Sequence, residues 1–184
     1  MNIWVEIFLA LALVLGIGFL WGFLQQLFGI EEKEKKDEVG FKKGVDFTGI
    51  AVVFLCHDGQ GNYVTYKRSQ NSRDEKGNWD IGSGGVEFNE RVEDALRRES
   101  REEFSTDVVH AEFMGYRDVH RTLPDGRPTH WIALDYKVEV VREKVAIGEP
   151  DSIDEIRWWR TIDEIPTPRH SQLAFYLEKY KDTL

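Results

Sequence analysis

Residues 90–104 are typical of an amphipathic helix, yet this helix carries carboxylates on its apolar side. At about 100° per residue, its apolar stripe consists of Val92, Ala95 and Leu96. Three carboxylates lie along the same stripe, and these are Glu99, Glu102 and Glu103. Crowded, partly desolvated carboxylates repel one another, so the pattern favours a bound Mg²⁺ or Mn²⁺, which prefer oxygen ligands. The alternative is a solvated, glutamate-rich helix end, which the angular positions disfavour.

The residues around this helix have the spacing of the Nudix box, GX5EX7REUXEEXGU. Its fixed positions are occupied by Gly84, Glu90, Arg98, Glu99, Glu102 and Glu103. The chain therefore resembles the Nudix hydrolase family over roughly residues 46–180. Ser100 stands where the box has an aliphatic residue, and Ser105 replaces its last glycine. Because that glycine ends the helix in a conformation other residues disfavour, we expect the helix end to differ from the family pattern.

The resemblance implies a fold, a reaction and a set of site residues. The implied fold is an α/β (α+β) sandwich of the Nudix α/β/α type with a mixed sheet. The implied reaction is Mg²⁺-dependent (or Mn²⁺-dependent) hydrolysis of a diphosphate linkage in a nucleoside diphosphate derivative or a nucleoside triphosphate. The implied metal ligands are Glu99, Glu102 and Glu103, and the implied catalytic set is Glu99, Glu102 and Arg98. Gly84 and Glu90 are expected to support the packing of loop against helix.

Two other functions are compatible with the same resemblance. A Nudix-fold diphosphate isomerase would use a cysteine and a histidine around the site, and no cysteine follows Trp79 in this chain. A non-catalytic domain that senses nucleotides often loses box glutamates, whereas this chain keeps all of them. We therefore expect a hydrolase. Many relatives form dimers, so a homodimer is a further expectation.

Three side chains outside the box are candidates for substrate binding, namely Arg68, Arg73 and Asp135. The arginines occupy a polar stretch suited to phosphate contacts, and surface loops also commonly carry such residues. Asp135 lies on the strand face opposite Ile132, where a solvated position is the alternative. His120 and His130 flank a turn-like segment, and we interpret them as isolated polar surface residues.

Charge and cysteine content limit the partners of the chain. The formal net charge is -9, which argues against binding a nucleic-acid polymer, because phosphate recognition requires a basic face. A small nucleotide bound through a metal ion remains compatible with this charge. The single cysteine, Cys56, excludes an internal disulfide and a cysteine-based zinc cluster. It ends an apolar run, so we expect it in the core.

The N-terminal segment differs in composition from the rest of the chain. Residues 7–24 are all apolar or glycine, which is long enough for a bilayer span. We predict a single transmembrane anchor over residues 1–30, a charged linker over 31–40 and the Nudix domain over 41–184. The lysines that follow the span place the domain in the cytoplasm by the positive-inside rule. A cleaved signal peptide is disfavoured, because no basic residue precedes the run and no A-x-A site follows it.

Hydrophobic periodicity predicts the main elements of the domain. Strands are expected over residues 49–56, 63–68 and 130–141, with a turn at 57–62 and loops at 69–78 and 121–130. A last helix is expected to begin at Ser171, whose hydroxyl can cap it. These elements indicate strands and helices layered around one core.

Overall fold

The computed structural model describes residues 40–123 and 125–184. The strands are β1 (Gly49–His57), β2 (Tyr63–Arg68), β3 (Trp79–Asp80), β4 (Gly82–Gly85), β5 (Val108–Thr122), β6 (Pro128–Val140) and β7 (Ile153–Trp159). The helices are α1 (Val92–Phe104) and α2 (Ser171–Tyr180). None of the helices in this part of the chain is both long and apolar enough to span a bilayer. The predicted anchor, residues 1–30, lies outside the described residues, as does all but the last residue of the linker.

The strands form one mixed sheet. Its order is β3-β2-β1-β6-β5, with β4 paired to β1 and β7 paired to β2. β1 and β6 run parallel, in a register that aligns Gly49 with Trp131 and His57 with Glu139. The other pairs are antiparallel. The predicted mixed sheet is therefore confirmed.

A helix covers each face of this sheet. Alternate residues of β1 point to opposite faces, so Phe54 packs on the α1 side and Leu55 on the α2 side. The first core cluster contains Leu96 and Phe104 of α1. The second contains Leu173 and other apolar residues of α2. Both cores flank the sheet, and this arrangement agrees with the predicted layers of helix, sheet and helix.

The two serines that depart from the box pattern are both accommodated by α1. Ser105 adopts the left-handed conformation, with φ 52° and ψ 25°, and follows the last helical residue. Its backbone N–H donates to the carbonyl of Arg101 at 3.0 Å. The buried Ser100 hydroxyl donates to the carbonyl of Leu96 at 2.8 Å, which satisfies it inside the helix. The helix thus ends where a glycine would end it.

Several sequence predictions were wrong in detail. The strand β5 was not predicted, and it fills residues 108–122, so the expected loop at 121–130 is reduced to a short turn. The cap of α2 is His170 rather than Ser171, because the His170 Nδ1 accepts from the backbone N–H of Gln172 at 3.2 Å. The prediction for Cys56, in contrast, is confirmed, because this residue is fully buried.

Candidate active site

The side chain of Glu99 lies against the backbone of Gly84. A Cβ built on residue 84 would fall 1.7 Å from the carboxyl carbon of Glu99 and within 2.2 Å of both its oxygens. Any side chain at residue 84 would therefore force the Glu99 carboxylate to move. Pairing of Gly84 with Val52 of β1 fixes the position of this backbone. Burial raises the pKa of Glu99 above its ordinary value, and Arg98 partly offsets that effect.

Glu103 is the most enclosed of the box carboxylates, with 7% of its surface exposed. One oxygen accepts from the backbone N–H of Ser83 at 2.9 Å, and the other accepts from the Tyr66 hydroxyl at 3.4 Å. Burial raises the pKa of Glu103 well above its ordinary value, and the negative charge of Glu99 adds to this rise. The carboxylate that the angular analysis placed inward is therefore buried and costly to ionise without a cation.

Arg98 joins the loop and the helix. Its guanidinium donates to both oxygens of Glu90, at 2.9 and 3.0 Å, and to the carbonyl of Gly85 at 3.0 Å. It also donates to Glu99 at 2.6 Å and to Glu102 at 3.0 Å. The hydrogen bonds from Arg98 lower the pKa of Glu90 to about 2. These contacts agree with the support expected of Glu90 and Gly84, since the arginine ties their loop to the carboxylates of α1.

The three box carboxylates of α1, Glu99, Glu102 and Glu103, suit a hard divalent cation by their chemistry, although one oxygen from each does not lie within 4.8 Å of the other two in this structure. All their donor atoms are oxygens, which such cations prefer. Glu99 and Glu103 are largely buried, whereas the side chain of Glu102 is 46% exposed. Burial is the main cause of the raised pKa values of these two glutamates, and neighbouring carboxylates add to it, so a cation would offset both effects. Glu103 is thus the most buried of the three, and Glu102 is the one most open to solvent and to a ligand.

A fourth carboxylate, Glu149, contributes to the electrostatics of the site and was not predicted. Its negative charge adds to the rise in the pKa values of both Glu99 and Glu103. The preceding residue holds the loop against α1, because the Gly148 N–H donates to the Glu103 carbonyl at 3.0 Å. A Cβ on Gly148 would lie 1.9 Å from the Glu102 carbonyl oxygen. The feature that could have indicated Glu149 in the sequence is an acidic residue placed between Gly148 and Pro150 in a connecting loop.

A cavity of about 400 Å³ opens beside the box loop. One wall consists of Ser83, Gly84 and Gly85. Another wall comes from the end of β5 and the start of β6, with Arg121, Thr122, Thr129 and Trp131. Gly84 connects this cavity to the site, because it lines the cavity and also contacts Glu99, although Glu99, Glu102 and Glu103 do not themselves line the cavity. Its size suits a small-molecule ligand.

A network of charged side chains borders the same cavity. Arg68 pairs with Asp80 at 2.9 Å and with Asp74 at 2.8 Å, and Arg121 pairs with Asp74 at 3.0 Å. Burial raises the pKa of Asp80 to about 7, despite its contact with Arg68. Burial also lowers the pKa of His170 to about 4, although carboxylates surround it. The network therefore mixes fixed charges with groups that burial pushes towards neutrality.

Two of the three predicted substrate-binding residues line the cavity, and the third does not. Arg68 and Arg73 both line the cavity. The side chain of Arg73 is 78% exposed, and its ion pair with Asp74 is long at 3.8 Å. Asp135 instead is fully buried, accepts two hydrogen bonds from Arg117 at 2.7 and 2.8 Å, and accepts a third from Tyr180. Neither a solvated position nor a substrate contact fits Asp135, because β5 supplies its arginine partner.

A mixed sheet between two helices, with a glycine loop packed on helical carboxylates, defines a class of phosphoanhydride hydrolases. The chain matches the NUDIX domain family over residues 47–180. The chain therefore belongs to the Nudix family.

Two relatives are nucleoside triphosphatases. The chain is 34% identical over 110 residues to the nucleoside triphosphatase NudI of Klebsiella pneumoniae, covering 56% of this chain and 77% of that protein. It is 39% identical over 104 residues to NudI of Salmonella arizonae, covering 54% and 74% respectively.

Solved structures show the same fold. The MutT Nudix hydrolase of Burkholderia pseudomallei superposes with a TM-score of 0.62 at 25% identity, covering 72% of this chain and 97% of that one. The Nudix domain of Shewanella oneidensis NrtR, solved with ADP ribose, superposes with a TM-score of 0.58 at 17% identity, covering 83% and 98%. The family match and the NudI relatives identify the chain as a Nudix pyrophosphohydrolase, a family that generally uses a divalent metal.

Proposed function

We propose that this domain hydrolyses a phosphoanhydride bond of nucleoside triphosphates with Mg²⁺. The observation that carries the proposal is the contact between Gly84 and Glu99, which joins the cavity wall to the box carboxylates. We place the charged end of the triphosphate at the Gly84 edge of the cavity, which is the edge that Glu99 contacts. The similarity to NudI, a nucleoside triphosphatase, supports triphosphates over other nucleoside diphosphate derivatives.

We propose Glu99, Glu102 and Glu103 as the residues that hold the Mg²⁺. When bound, the ion neutralises phosphate charge and makes water nucleophilic near neutral pH. Mn²⁺ has the same preference for oxygen ligands and is expected to substitute. The burial of Glu103 supports this assignment, because the cation compensates a charge that the protein otherwise stabilises with two hydrogen bonds.

The protein's own side chains position the reacting groups. Arg98 fixes the carboxylates of Glu99 and Glu102 in orientation, and Glu90 fixes Arg98 in turn. This arrangement supports Glu99, Glu102 and Arg98 as the catalytic set. The exposed guanidinium of Arg73 is free to contact substrate phosphates, whereas Arg68 is held by its two carboxylate partners. We therefore assign Arg73 to phosphate binding and Arg68 to shaping the cavity.

The isomerase alternative needs a cysteine near the carboxylates. Cys56 lies in the core, fully buried, and burial raises the pKa of its thiol. A protonated, inaccessible thiol cannot protonate or bind a substrate in the cavity. The sensing alternative predicts binding without turnover, and the intact set of box carboxylates favours turnover instead.

The proposal is tested by phosphate and pyrophosphate release from the purified protein with Mg²⁺. Nucleoside triphosphates, nucleotide sugars and dinucleoside polyphosphates should be compared at equal concentration. We expect the highest kcat/KM for a triphosphate and none detectable without a divalent ion. Preference for a nucleotide sugar would contradict the substrate assignment, and tight binding with no turnover would favour a sensor.

We also propose that residues 1–30 anchor the domain to a membrane, with the domain in the cytoplasm. The supports are the uncharged run over residues 7–24 and the lysines that follow it. A nucleotide substrate is consistent with a cytoplasmic domain. A homodimer also stays a prediction, to be checked by the mass of the protein in solution.

A further inference from the structure

Two histidines and an aspartate meet on one face of the β5–β6 hairpin, outside the box. His120 of β5 lies directly opposite His130 of β6 in the antiparallel register. Asp118 is two residues before His120, so both side chains leave β5 on the same face. The sheet register therefore gathers three side chains that are far apart in sequence. The two histidines lie at the surface, as expected, but the prediction that they are isolated was wrong, because β5 was not predicted.

The potential ligand atoms of this cluster are close together. One atom each from Asp118, His120 and His130 lies within 4.8 Å of the other two. The His130 Nε2 is 3.1 Å from the Asp118 Oδ1, and the two imidazole rings stack with centroids 4.2 Å apart and planes 14° apart. Within residues 40–123 and 125–184, these three residues form the one group of His, Cys, Asp or Glu side chains with this convergence.

We propose that Asp118, His120 and His130 form a binding site for a transition-metal dication such as Zn²⁺. Two imidazoles and one carboxylate are a ligand set that suits such ions, whereas Mg²⁺ prefers oxygen ligands alone. Ligands about 2.0–2.1 Å from a tetrahedral ion lie about 3.3 Å from one another. The pair formed by His130 and Asp118 already has this spacing. Asp118 and His120 are exposed, so rotation of their side chains closes the remaining distance.

A hydroxyl group outside the ligand set is placed to orient one ligand. The Thr48 Oγ1 lies 3.0 Å from the His130 Nδ1. Metal-binding histidines commonly donate their second ring N–H to an oxygen acceptor, usually a carboxylate, a backbone carbonyl or water, and this fixes ring orientation and tautomer. A hydroxyl can accept as well as donate, so Thr48 serves His130 with or without a metal ion. Residues from three strands or their flanks, β1, β5 and β6, would then act together.

Binding at this cluster would tie β5 to β6 next to a wall of the cavity. Arg121 and Thr129 follow His120 and precede His130 in sequence, and both line the cavity. Because neighbouring residues of a strand point to opposite faces, the metal would lie on the face away from Arg121. The site is therefore distinct from the box carboxylates, yet it braces the strands that carry the opposite wall.

The test is Zn²⁺ binding to the full chain, measured by equilibrium dialysis with Mg²⁺ in large excess to occupy oxygen-only sites. We expect one Zn²⁺ per chain, with the His120 and His130 ring resonances shifted in NMR spectra. His120→Asn and His130→Asn should each weaken Zn²⁺ affinity more than about 10-fold, and Thr48→Val about 10-fold. His110→Asn is the matched control, since it removes an exposed histidine of the same strand.

The outcomes separate this site from the proposed hydrolase site. Loss of Zn²⁺ binding in the His120 and His130 variants, with His110→Asn unchanged, would support the assignment whatever the enzyme's substrate proves to be. Equal Zn²⁺ affinity in all these variants, or no binding by the unmodified chain, would overturn it. Circular dichroism on each variant confirms that the fold is intact before affinities are compared.

Discussion

The carboxylate of Glu99 occupies the space that a Cβ on residue 84 would need, 1.7 Å from its carboxyl carbon. Gly84 does not have a positive φ, so backbone strain does not explain why glycine is required there. The requirement comes from the contact itself. Gly84 and Glu99 are therefore partners in one packing contact. A substitution at Gly84 tests the position of the Glu99 carboxylate.

Gly84→Ala should displace the Glu99 carboxylate by more than 1 Å and lower kcat by about 10²-fold or more, since catalytic geometry tolerates little misplacement. Steady-state kinetics with Mg²⁺ measures the effect. Gly85→Ala is the comparison at the next position: it also lines the cavity, but its Cβ would meet no atom closer than 3.7 Å, so Glu99 should stay in place. Equal activity of the two alanine variants would show that the contact has no catalytic importance.

Glu103→Gln should lower kcat by about 10²-fold or more and weaken metal binding, because a neutral amide cannot replace a buried carboxylate ligand. Metal binding is measured by Mn²⁺ titration of the same protein. Glu93→Gln, on the exposed side of α1, is the control and should be close to unmodified activity. Near-normal turnover of the Glu103 variant would disprove the metal assignment.

The same substitution should stabilise the metal-free protein near neutral pH. The pKa of Glu103 is raised in the folded state, so its favourable contribution is present below the ordinary glutamate pKa and is lost as pH rises through the folded value. Glu103→Gln removes this loss. Thermal melts with a chelator should show a Tm advantage for the variant at pH 8 that shrinks by pH 4. An advantage independent of pH would contradict this origin.

The sequence predicted the chemistry-bearing helix more fully than the sheet around it. Angular positions along residues 90–104 identified Glu99 and Glu103 as inward-facing, and both are buried. That inference needed only local geometry. Strand β5 was missed because its register shifts near Val108 and near Gly115 interrupt the alternation of side chains.

The surroundings of Asp135, His120 and His130 depend on β5 and were misjudged for that reason. Asp135 looked like a solvated strand residue, but Arg117 of β5 pairs with it inside the protein. His120 and His130 looked isolated, yet the hairpin register places them in contact. The proximity of Glu149 to the box carboxylates could not be predicted, because it depends on which loop packs on α1. Such pairings arise from tertiary structure, which the periodicity of a single segment does not contain.

Ser105→Gly should stabilise the protein by about 0.5–1 kcal/mol. A left-handed conformation costs a non-glycine residue about 1–2 kcal/mol, and the greater freedom of an unfolded glycine offsets roughly 0.5–1 kcal/mol of that relief. Chemical denaturation measures the change. Ser100→Gly is the contrasting variant, since it should destabilise a helix interior. Destabilisation by Ser105→Gly would mean that the serine side chain itself supports the helix end.

Glu149→Gln should alter the pH dependence of kcat, because the charge of Glu149 acts on two of the box carboxylates. Removing its negative charge should also lower the pKa values of Glu99 and Glu103, since that charge now raises both. The acidic limb of the pH–rate profile should therefore move to lower pH. Glu143→Gln, an exposed residue of the same connection, is the control. An unchanged profile would remove Glu149 from the site.

The N-terminal anchor gives the last prediction. The run over residues 7–24 has no basic residue before it and five lysines among residues 33–43 after it, so the domain should face the cytoplasm. The full chain should sediment with membranes, and a chain beginning at Gly40 should not. Because the site lies within residues 41–184, the shortened enzyme should keep nearly unchanged kcat. Cleavage of the domain by protease added outside intact cells would reverse the topology. Loss of activity in a folded, shortened enzyme would show that the N-terminal segment helps to form the site.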